Sequence, residues 1–290
     1  MKRTRVILYA CLRVVANLYY LGPWRSWFIR LAQARYSDRV LPVTASGVIK
    51  GLQEGDMLGR LLSEGFSGPF RVDPEVADEI LAHLEGEKRF IVPEPHLTDV
   101  AVQKVVYDPG LQALLRQYFG ICPHLFSTSI FISNPAGRSY NPELGPCTKE
   151  FHYDLPDFKG LTLFVYLNDV DGFGGAHAVI PGTAARLTLH RLLSRFMSHQ
   201  DAVRTYGPES IVTVTGPKGT AFLEDLVNWH KRSVSNHPRY ALAATFTLMR
   251  RPPAGREPRI SESLLKPLDT MGKPLPIRPL SMPAGESTVH

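Results

Sequence analysis

Residues 125–133 read LFSTSIFIS, and six later stretches show a similar alternation of apolar and small or polar residues. They are FHYDL (151–155), LTLFVYL (161–167), HAVIP (177–181), SIVTVTG (210–216), GTAFLED (219–225) and RYALAATFTL (239–248). Because side chains alternate between the two faces of a strand, this period of two predicts strands, and the Gly, Pro and Asn clusters between the stretches predict turns. The series indicates an antiparallel fold that is mostly β with flanking helices. We expect a jelly roll, the double-sheet version that leaves a cavity between its sheets.

Two helices are predicted before most of the strands, and both begin with Asp-Pro. Asp73 and Asp108 are the expected N-caps, each followed by a proline in the first turn. Gly120 is the expected end of the second helix. The apolar residues that should face the core are Val76, Ile80 and Leu84 in the first helix and Leu111, Leu114, Leu115 and Tyr118 in the second.

A further helix, over Arg186–Ser198, is predicted to interrupt the strands. Its apolar stripe consists of Leu189, Leu192, Leu193 and Phe196, and its basic flank of Arg186, His190, Arg191 and Arg195. We expect this basic flank to lie at the mouth of the jelly roll.

Basic residues are concentrated at the two ends of the 290-residue chain. Residues 1–40 hold eight Lys and Arg against Asp38 alone, a net charge of +7, and residues 250–290 hold seven against four acids, a net charge of +3. The overall charge of +6 therefore leaves the middle at −4. We divide the chain into a basic amphipathic helical head (1–40), a jelly-roll domain (41–250) and a Pro-rich basic tail (251–290). The mildly acidic body gives no reason to expect a nucleic-acid partner.

The head contains two segments with helical periodicity, VILYACLRVVANLYYL (6–21) and WRSWFIRLAQAR (24–35). The first is too short, and too interrupted by Arg13, to span a bilayer. A signal peptide is a weaker alternative, because no cleavage motif follows its short apolar run. Two interpretations stay open: peripheral contact of residues 1–40 with an anionic membrane, or packing of the head onto the body. The apolar residues spaced along one face of the second segment are Trp24, Trp27, Phe28 and Leu31.

The composition, 44% hydrophobic and 21% charged, is that of an ordinary globular protein. Cys11, Cys122 and Cys147 form no CxxC pair, which argues against a disulfide framework or a thiolate zinc site. A reducing, cytoplasmic location is expected, peripheral to the membrane if the head binds lipid. The sequence lacks the glycine-containing motifs of serine hydrolases, P-loop proteins and dinucleotide-binding proteins.

Residues with metal-binding chemistry occur in Glu150-Phe151-His152-Tyr153-Asp154 and again in Trp229-His230. Residues i and i+2 of a strand point to the same face, so His152 and Asp154 can bind one metal ion, and His230 on a later strand can supply a third ligand. This two-His-one-carboxylate set leaves three positions open on iron(II). An H-x-D/E motif also arises by chance, as His83-Leu84-Glu85 shows. The alternative for His152 and Asp154 is an ordinary polar pair.

Two long segments, FHYDLPDFKGLTLFVYLNDVDGFGGAHAVIPGT (151–183) and GTAFLEDLVNWHKRSVSNHPRYALAATF (219–246), resemble the phytanoyl-CoA dioxygenase family of iron(II)/2-oxoglutarate oxygenases. The resemblance covers roughly residues 60–250. The positions that match the family pattern are His152 and Asp154, Tyr166 with Asp169, residues 175–183, His230 and Arg239. The resemblance implies a double-stranded β-helix of the cupin-like type, with His152, Asp154 and His230 as the catalytic iron ligands.

Arg239 follows the distal histidine at the spacing that the family uses for its 2-oxoglutarate arginine. Its guanidinium can bind the distal carboxylate of 2-oxoglutarate in a bidentate manner, and an ordinary strand-edge arginine is the alternative. Tyr166, Ser127 and Ser129 are further expected cofactor contacts, because they lie on strand faces that can line the cavity. Outward-facing serines are equally common.

Four other residues near the motifs are not expected to bind the metal directly. Asp225 can orient a metal ligand or simply stabilise a turn. His177, like five other histidines without an acid at chelating spacing, is expected to be structural. Many members of the family have Gly two residues after the distal histidine, where this chain has Arg232, and many have His where it has Ala184. Neither position binds metal in the family, so these departures concern the substrate pocket.

The resemblance implies an enzyme that uses Fe(II), 2-oxoglutarate and O2, hydroxylates an unactivated C–H bond and releases succinate and CO2. The retained Asp154 favours hydroxylation over halogenation, because halogenating relatives replace this carboxylate with a small residue. The expected substrate is a soluble small metabolite or a natural-product intermediate. The basic flank and the basic head suggest an anionic or lipid- or glycan-linked molecule as the alternative. The alternative is a non-catalytic metal-binding or interaction protein that retains the fold.

Overall fold

A computed structural model describes residues 21–36, 42–45, 47–52, 55–85, 87, 91–133, 150–188, 191, 194–233 and 235–249. The helices within these ranges are α1 (Gly22–Arg35), α2 (Met57–Glu64), α3 (Pro74–Ala82), α4 (Val100–Val106), α5 (Pro109–Phe119) and α6 (His199–Tyr206). The strands are β1 (Ile49–Lys50), β2 (Phe66–Val72), β3 (Ile91–Pro93), β4 (His124–Ser133), β5 (Phe151–His152), β6 (Gly160–Tyr166), β7 (His177–Ile180), β8 (Phe196–Met197), β9 (Val212–Val214), β10 (Thr220–Glu224), β11 (Trp229–Arg232) and β12 (Arg239–Thr247). The first predicted head helix, the tail (251–290), Cys11 and Cys147 lie outside the described residues.

The strands form two antiparallel sheets. The larger sheet has the order β1-β2-β10-β6-β12-β4-β3, and the smaller has the order β8-β5-β11-β7-β9. This arrangement confirms the predicted jelly roll with flanking helices.

The alternation along the strands of the larger sheet separates its two faces. Ile130, Leu163 and Leu242 belong to the main core, which also contains residues of α2 to α5. The residues that alternate with these three along their own strands point to the opposite face, towards the smaller sheet. A second apolar cluster, which includes Tyr166, Val179 and Phe222, fills part of the space between the sheets. The interior face of the jelly roll therefore carries the alternate residues of β4, β6, β10 and β12.

The two predicted Asp-Pro helix starts are confirmed in position, but only one of them is capped by its side chain. Asp108 accepts hydrogen bonds from the backbone N–H groups of Leu111 (3.0 Å), Val48 (2.6 Å) and Ile49 (3.0 Å). Asp73 makes no such bond and instead lies 3.6 Å from Lys50 Nζ. Asp108 thus ties the start of α5 to β1 through hydrogen bonds from backbone N–H groups, whereas the Asp73 carboxylate meets β1 through Lys50 Nζ.

The remaining helix predictions are largely confirmed. Gly120 ends α5 with a φ of 74°, and the four apolar residues expected to face the core from α5 are buried. Val76 and Ile80 are buried in α3. That helix ends at Ala82, so Leu84 packs half-buried against the core from the turn that follows.

Asp108→Ala is expected to lower the free energy of unfolding by at least about 3 kcal/mol, because three buried N–H groups lose their acceptor at a cost of roughly 1–3 kcal/mol each. Asp73→Ala is the matched control, an Asp-Pro helix start without a side-chain cap bond, and should cost less than about 1 kcal/mol. Urea unfolding of both variants measures the difference. Equal losses would show that the Asp108 bonds contribute no more than an ordinary helix start.

The predicted helix over Arg186–Ser198 is wrong at both ends. Ala184–Arg186 form a short 3₁₀ turn, after which Leu187 is extended. Phe196–Met197 form strand β8, which pairs with Phe151 and His152 at the edge of the smaller sheet. Ser198 then caps α6. Phe196 and Met197 pair with β5 at the edge of the smaller sheet. This strand pairing overrides the helical spacing of the apolar residues in the local sequence.

The head helix α1 packs on the body through one face. Arg25 Nε donates to Phe158 O at 2.6 Å, and the ring of Phe28 stacks on that of Phe158 with centroids 4.7 Å apart. Gln33 Nε2 donates to Phe119 O at 2.7 Å, and Ala32 is buried. The packing interpretation therefore holds for this face of residues 22–35. Among the described residues, no helix has the length and apolar character needed to cross a bilayer.

Candidate metal centre

His152, Asp154 and His230 come together between the sheets. Each offers one ligand atom, and the three atoms lie within 4.8 Å of one another. Asp154 Oδ2 is 4.0 Å from His152 Nε2 and 3.8 Å from His230 Nε2. This geometry matches a set of three protein ligands for one metal ion.

Strand pairing explains how residues so far apart in sequence converge. His152 on β5 is the direct cross-strand partner of His230 on β11. Their rings lie 4.4 Å apart between centroids. Asp154 follows β5 by two residues, and its backbone N–H donates to Leu226 O at 2.8 Å, which keeps the carboxylate on the side of the imidazoles.

Both imidazole rings have a backbone partner on the nitrogen that faces away from Asp154. His152 Nδ1 is 3.2 Å from Glu150 O, and His230 Nδ1 is 3.0 Å from Asn228 O. A carbonyl oxygen only accepts, so each Nδ1 carries the proton and each Nε2 presents its lone pair. The Nε2 atoms are therefore ready to bind a metal ion.

The charges of the three groups also suit a metal ion. Burial lowers the pKa of both His152 and His230, which keeps the imidazoles neutral. Burial alone would raise the pKa of Asp154, but His230, His152 and Arg195 outweigh it and hold that pKa below its usual value. Two neutral imidazoles and one carboxylate are the protonation states that metal binding requires.

Arg195 forms an ion pair with the same carboxylate. Its Nη2 donates to Asp154 Oδ1, and its Nε donates to Tyr153 O at 3.2 Å. Arg191, a second arginine of the expected basic flank, is buried, donates to Val227 O at 2.7 Å and lies over the ring of Trp229. Neither guanidinium forms the free basic surface that the helix prediction implied.

A buried acid lies behind His230. Glu224 is fully buried on β10; its Oε2 is 2.5 Å from His177 Nε2 and its Oε1 is 3.6 Å from His230 Nδ1. Burial raises the pKa of Glu224 to about 8 and lowers that of His177 to about 3, so the pair is neutral at pH 7. His177 also stacks on His230, with centroids 5.6 Å apart.

Asp225, one residue beyond Glu224, points away from the metal centre. Its Oδ1 accepts from Val227 N at 3.0 Å, and its Oδ2 lies 3.4 Å from Arg25 of α1. The turn role expected for Asp225 is confirmed and the ligand-orienting role is wrong. Glu224 lies on the face of β10 that points to the interior between the sheets, and Asp225 does not. The alternation along GTAFLED could have shown which of the two acids points inward.

Arg239 and Tyr166 lie further along the same interior face. Arg239 is 6% exposed, and its Nη1 donates to Gly175 O at 2.6 Å. Gly175 has a φ of 73°, a conformation that favours glycine. The guanidinium carbon of Arg239 lies 5.7 Å from the ring centroid of Tyr166, whose hydroxyl donates to Val214 O at 2.9 Å. Tyr166 thus forms a wall beside Arg239 with its hydroxyl already engaged.

The serines of β4 share that interior face. Ser133 is the cross-strand partner of Arg239, Ser129 of Ala243 and Ser127 of Thr245. Ser127 pairs with Thr245 on β12, Thr245 pairs with Thr162 on β6, and Thr162 pairs with Glu224 on β10. Glu224 in turn contacts His230. Ser127 is therefore level with the metal centre, on the opposite side of the interior.

Comparison with known proteins gives structural likeness only. No family model and no curated protein sequence matches the chain. The structure is similar to EctD from S. alaskensis with bound Fe (TM-score 0.50, 15% identity, 77% of this chain and 90% of that one) and to the non-heme monooxygenase ThoJ (TM-score 0.50, 18% identity, 77% and 88%). It also matches the epimerase SnoN in complex with Fe3+, alpha ketoglutarate and nogalamycin RO (TM-score 0.49, 17% identity, 76% and 94%). At these identities the likeness to EctD and ThoJ shows the fold alone, which is a jelly roll.

Proposed function

We propose that this chain is an iron(II)- and 2-oxoglutarate-dependent oxygenase that hydroxylates an unactivated C–H bond and releases succinate and CO2. The observation that carries the proposal is the convergence of His152, Asp154 and His230 within 4.8 Å, in the protonation states that a divalent ion needs. Arg239 is the second support: it is buried and forms no ion pair among the described residues, and such a cation fits a carboxylate ligand.

His152, Asp154 and His230 would hold the iron, and Arg239 would hold the distal carboxylate of 2-oxoglutarate. Bound iron(II) and 2-oxoglutarate would supply oxygen activation coupled to oxidative decarboxylation of 2-oxoglutarate. The chain itself fixes the imidazole tautomers through Glu150 O and Asn228 O. Tyr166 closes one side of the interior and, with the cluster around Phe222, keeps water from that side.

The proposed substrate is a small metabolite, a natural-product intermediate or a lipid- or glycan-linked molecule. Ser127 and Ser129, opposite the metal centre, are the proposed lining of its cavity, since both lie on the interior face of β4, in register with Thr245 and Ala243 of β12. The engagement of Arg191 and Arg195 within the fold takes these two arginines of the basic flank out of the case for an anionic substrate.

A screen for succinate release over candidate substrates tests the function. We expect at least one compound to raise succinate formation in step with oxygen consumption, and Asp154→Ala to show neither. Iron binding without 2-oxoglutarate binding would contradict the proposal and favour a non-catalytic metal-binding protein.

For the head we propose peripheral contact with an anionic membrane through the outer face of α1. Trp24, Trp27 and Leu31 are 64%, 54% and 52% exposed on this face. Arg30 and Arg35 are exposed beside them, and residues 22–35 contain no acidic side chain. Exposed tryptophans with flanking arginines suit a headgroup boundary, where each basic residue contributes about 1 kcal/mol.

Replacing Trp24 and Trp27 together by serine is expected to reduce co-sedimentation with anionic vesicles by at least about tenfold, because the apolar anchors are lost. Binding of the unchanged protein should weaken as salt rises and the Debye length falls to about 3 Å near 1 M. Phe173→Ser, at another exposed aromatic residue (68% exposed), is the matched control and should bind as before. No vesicle binding at low salt would contradict the membrane proposal.

A further inference from the structure

Arg232 points into the interior beside the metal centre. It lies two residues after His230 on β11, so both side chains project from the same face of the smaller sheet. Its Nη1 donates to Ser133 Oγ at the end of β4, in the larger sheet. Ser133 is the cross-strand partner of Arg239. The guanidinium of Arg232 therefore crosses between the sheets and ends next to Arg239.

The two guanidiniums are incompletely satisfied. The Nε atoms of Arg232 and Arg239 are both buried and have no hydrogen-bond partner among the described residues. In the same part of the chain, the ion pairs made by arginines involve Arg25, Arg195 and Arg204, and neither Arg232 nor Arg239 meets a carboxylate.

Arg239 is buried and Arg232 half-buried, and two cations side by side in such surroundings are unfavourable unless an anion neutralises them. A carboxylate meets this need best, because its two oxygens can accept from two guanidinium groups at once. The Ser133 hydroxyl accepts from Arg232, and Ser133 is the cross-strand partner of Arg239, so this hydroxyl lies between the two arginines.

We propose that Arg232 and Arg239 form one carboxylate pocket and that Arg232 supplies a second guanidinium to the distal carboxylate of 2-oxoglutarate. This inference rests on the proposed function and adds a specificity-determining residue to it. A 2-oxo acid without a distal carboxylate would leave both cations unpaired. The pocket should therefore select dicarboxylates more strongly than one arginine would.

The test is an anaerobic calorimetric titration of the iron-loaded protein with 2-oxoglutarate and with 2-oxovalerate, which has the same chain length and no distal carboxylate. Arg232→Gln is expected to weaken 2-oxoglutarate binding by roughly ten- to a hundredfold, the range of a lost hydrogen bond to a charged group. Binding of 2-oxovalerate should change by less than about twofold, because that ligand offers nothing for Arg232 to contact.

Lys231→Gln is the matched control. It removes the same charge one residue away, but Lys231 points to the opposite face of β11, with its Nζ 4.9 Å from the ring centroid of Phe151. It should leave the affinity for both ligands unchanged. One iron per chain in each variant checks that the metal centre is intact. Where Arg232→Gln fails that check, Arg232→Lys takes its place, with a smaller loss for 2-oxoglutarate and none for 2-oxovalerate.

Three results would overturn the inference: unchanged 2-oxoglutarate affinity in the Arg232 variant, equal losses for both ligands, or the same loss in Lys231→Gln. Equal losses would show that Arg232 supports the fold, and a loss in the control would show a general charge effect. Failure of the proposed function looks different, because the unchanged iron-loaded protein would then not bind 2-oxoglutarate at all.

Discussion

Alanine in place of His152, Asp154 or His230 is expected to lower iron(II) affinity by more than about a hundredfold and to abolish turnover. The loss of an outer partner of a metal ligand costs about 10–100-fold in affinity, and the loss of a ligand itself should exceed that. Only two protein ligands would remain. The measurement is an anaerobic iron(II) titration of each variant, followed by the succinate assay.

His96→Ala is a control for the removal of a buried imidazole. His96 bonds Thr128 Oγ1 at 2.6 Å through its Nδ1, and Thr128 alternates with the interior-facing Ser127 and Ser129 on β4. This variant should lose stability but bind iron normally. Iron binding of unchanged affinity and stoichiometry in all three ligand variants would exclude the triad as the metal centre.

Arg239→Ala is expected to leave iron binding intact and to weaken 2-oxoglutarate binding by roughly a hundred- to several-thousandfold. The variant would break the buried pair between Arg239 and the distal carboxylate, at a cost of about 3–5 kcal/mol, and would leave Arg232 alone beside that carboxylate. The measurement is the same calorimetric titration under anaerobic conditions.

Arg191→Ala separates this effect from the general cost of removing a buried arginine. Arg191 is as buried as Arg239, but it bonds Val227 O and Thr183 O and lies over Trp229, away from the interior. It should lower stability without changing 2-oxoglutarate affinity. Unchanged affinity in Arg239→Ala would mean that another cation holds the carboxylate.

The strand pattern predicted most of the fold because alternation is a local property of the chain. The stretches around His124–Ser133, Gly160–Tyr166 and Arg239–Thr247 became long strands of the larger sheet. Strand β2 was missed because Gly68 and Pro69 interrupt its period, although it pairs along β10. The two-residue β8 was read as helix, because only its pairing with β5 defines it.

The candidate site was predictable to the extent that it follows from i, i+2 spacing and from the family resemblance. Both led to His152, Asp154 and His230, which the structure brings together. Arg195 and His177 were missed because their partners, Asp154 and Glu224, are distant in sequence. Such contacts depend on strand register between sheets, which a single sequence does not specify.

The most direct test of the central claim is whether 2-oxoglutarate binds only when the metal is present. An anaerobic calorimetric titration of 2-oxoglutarate into metal-free protein and into protein loaded with iron(II) measures this in one experiment. We expect one iron(II) and one 2-oxoglutarate per chain, with no detectable 2-oxoglutarate binding to the metal-free protein. Equal binding with and without iron, or no binding in either state, would contradict it.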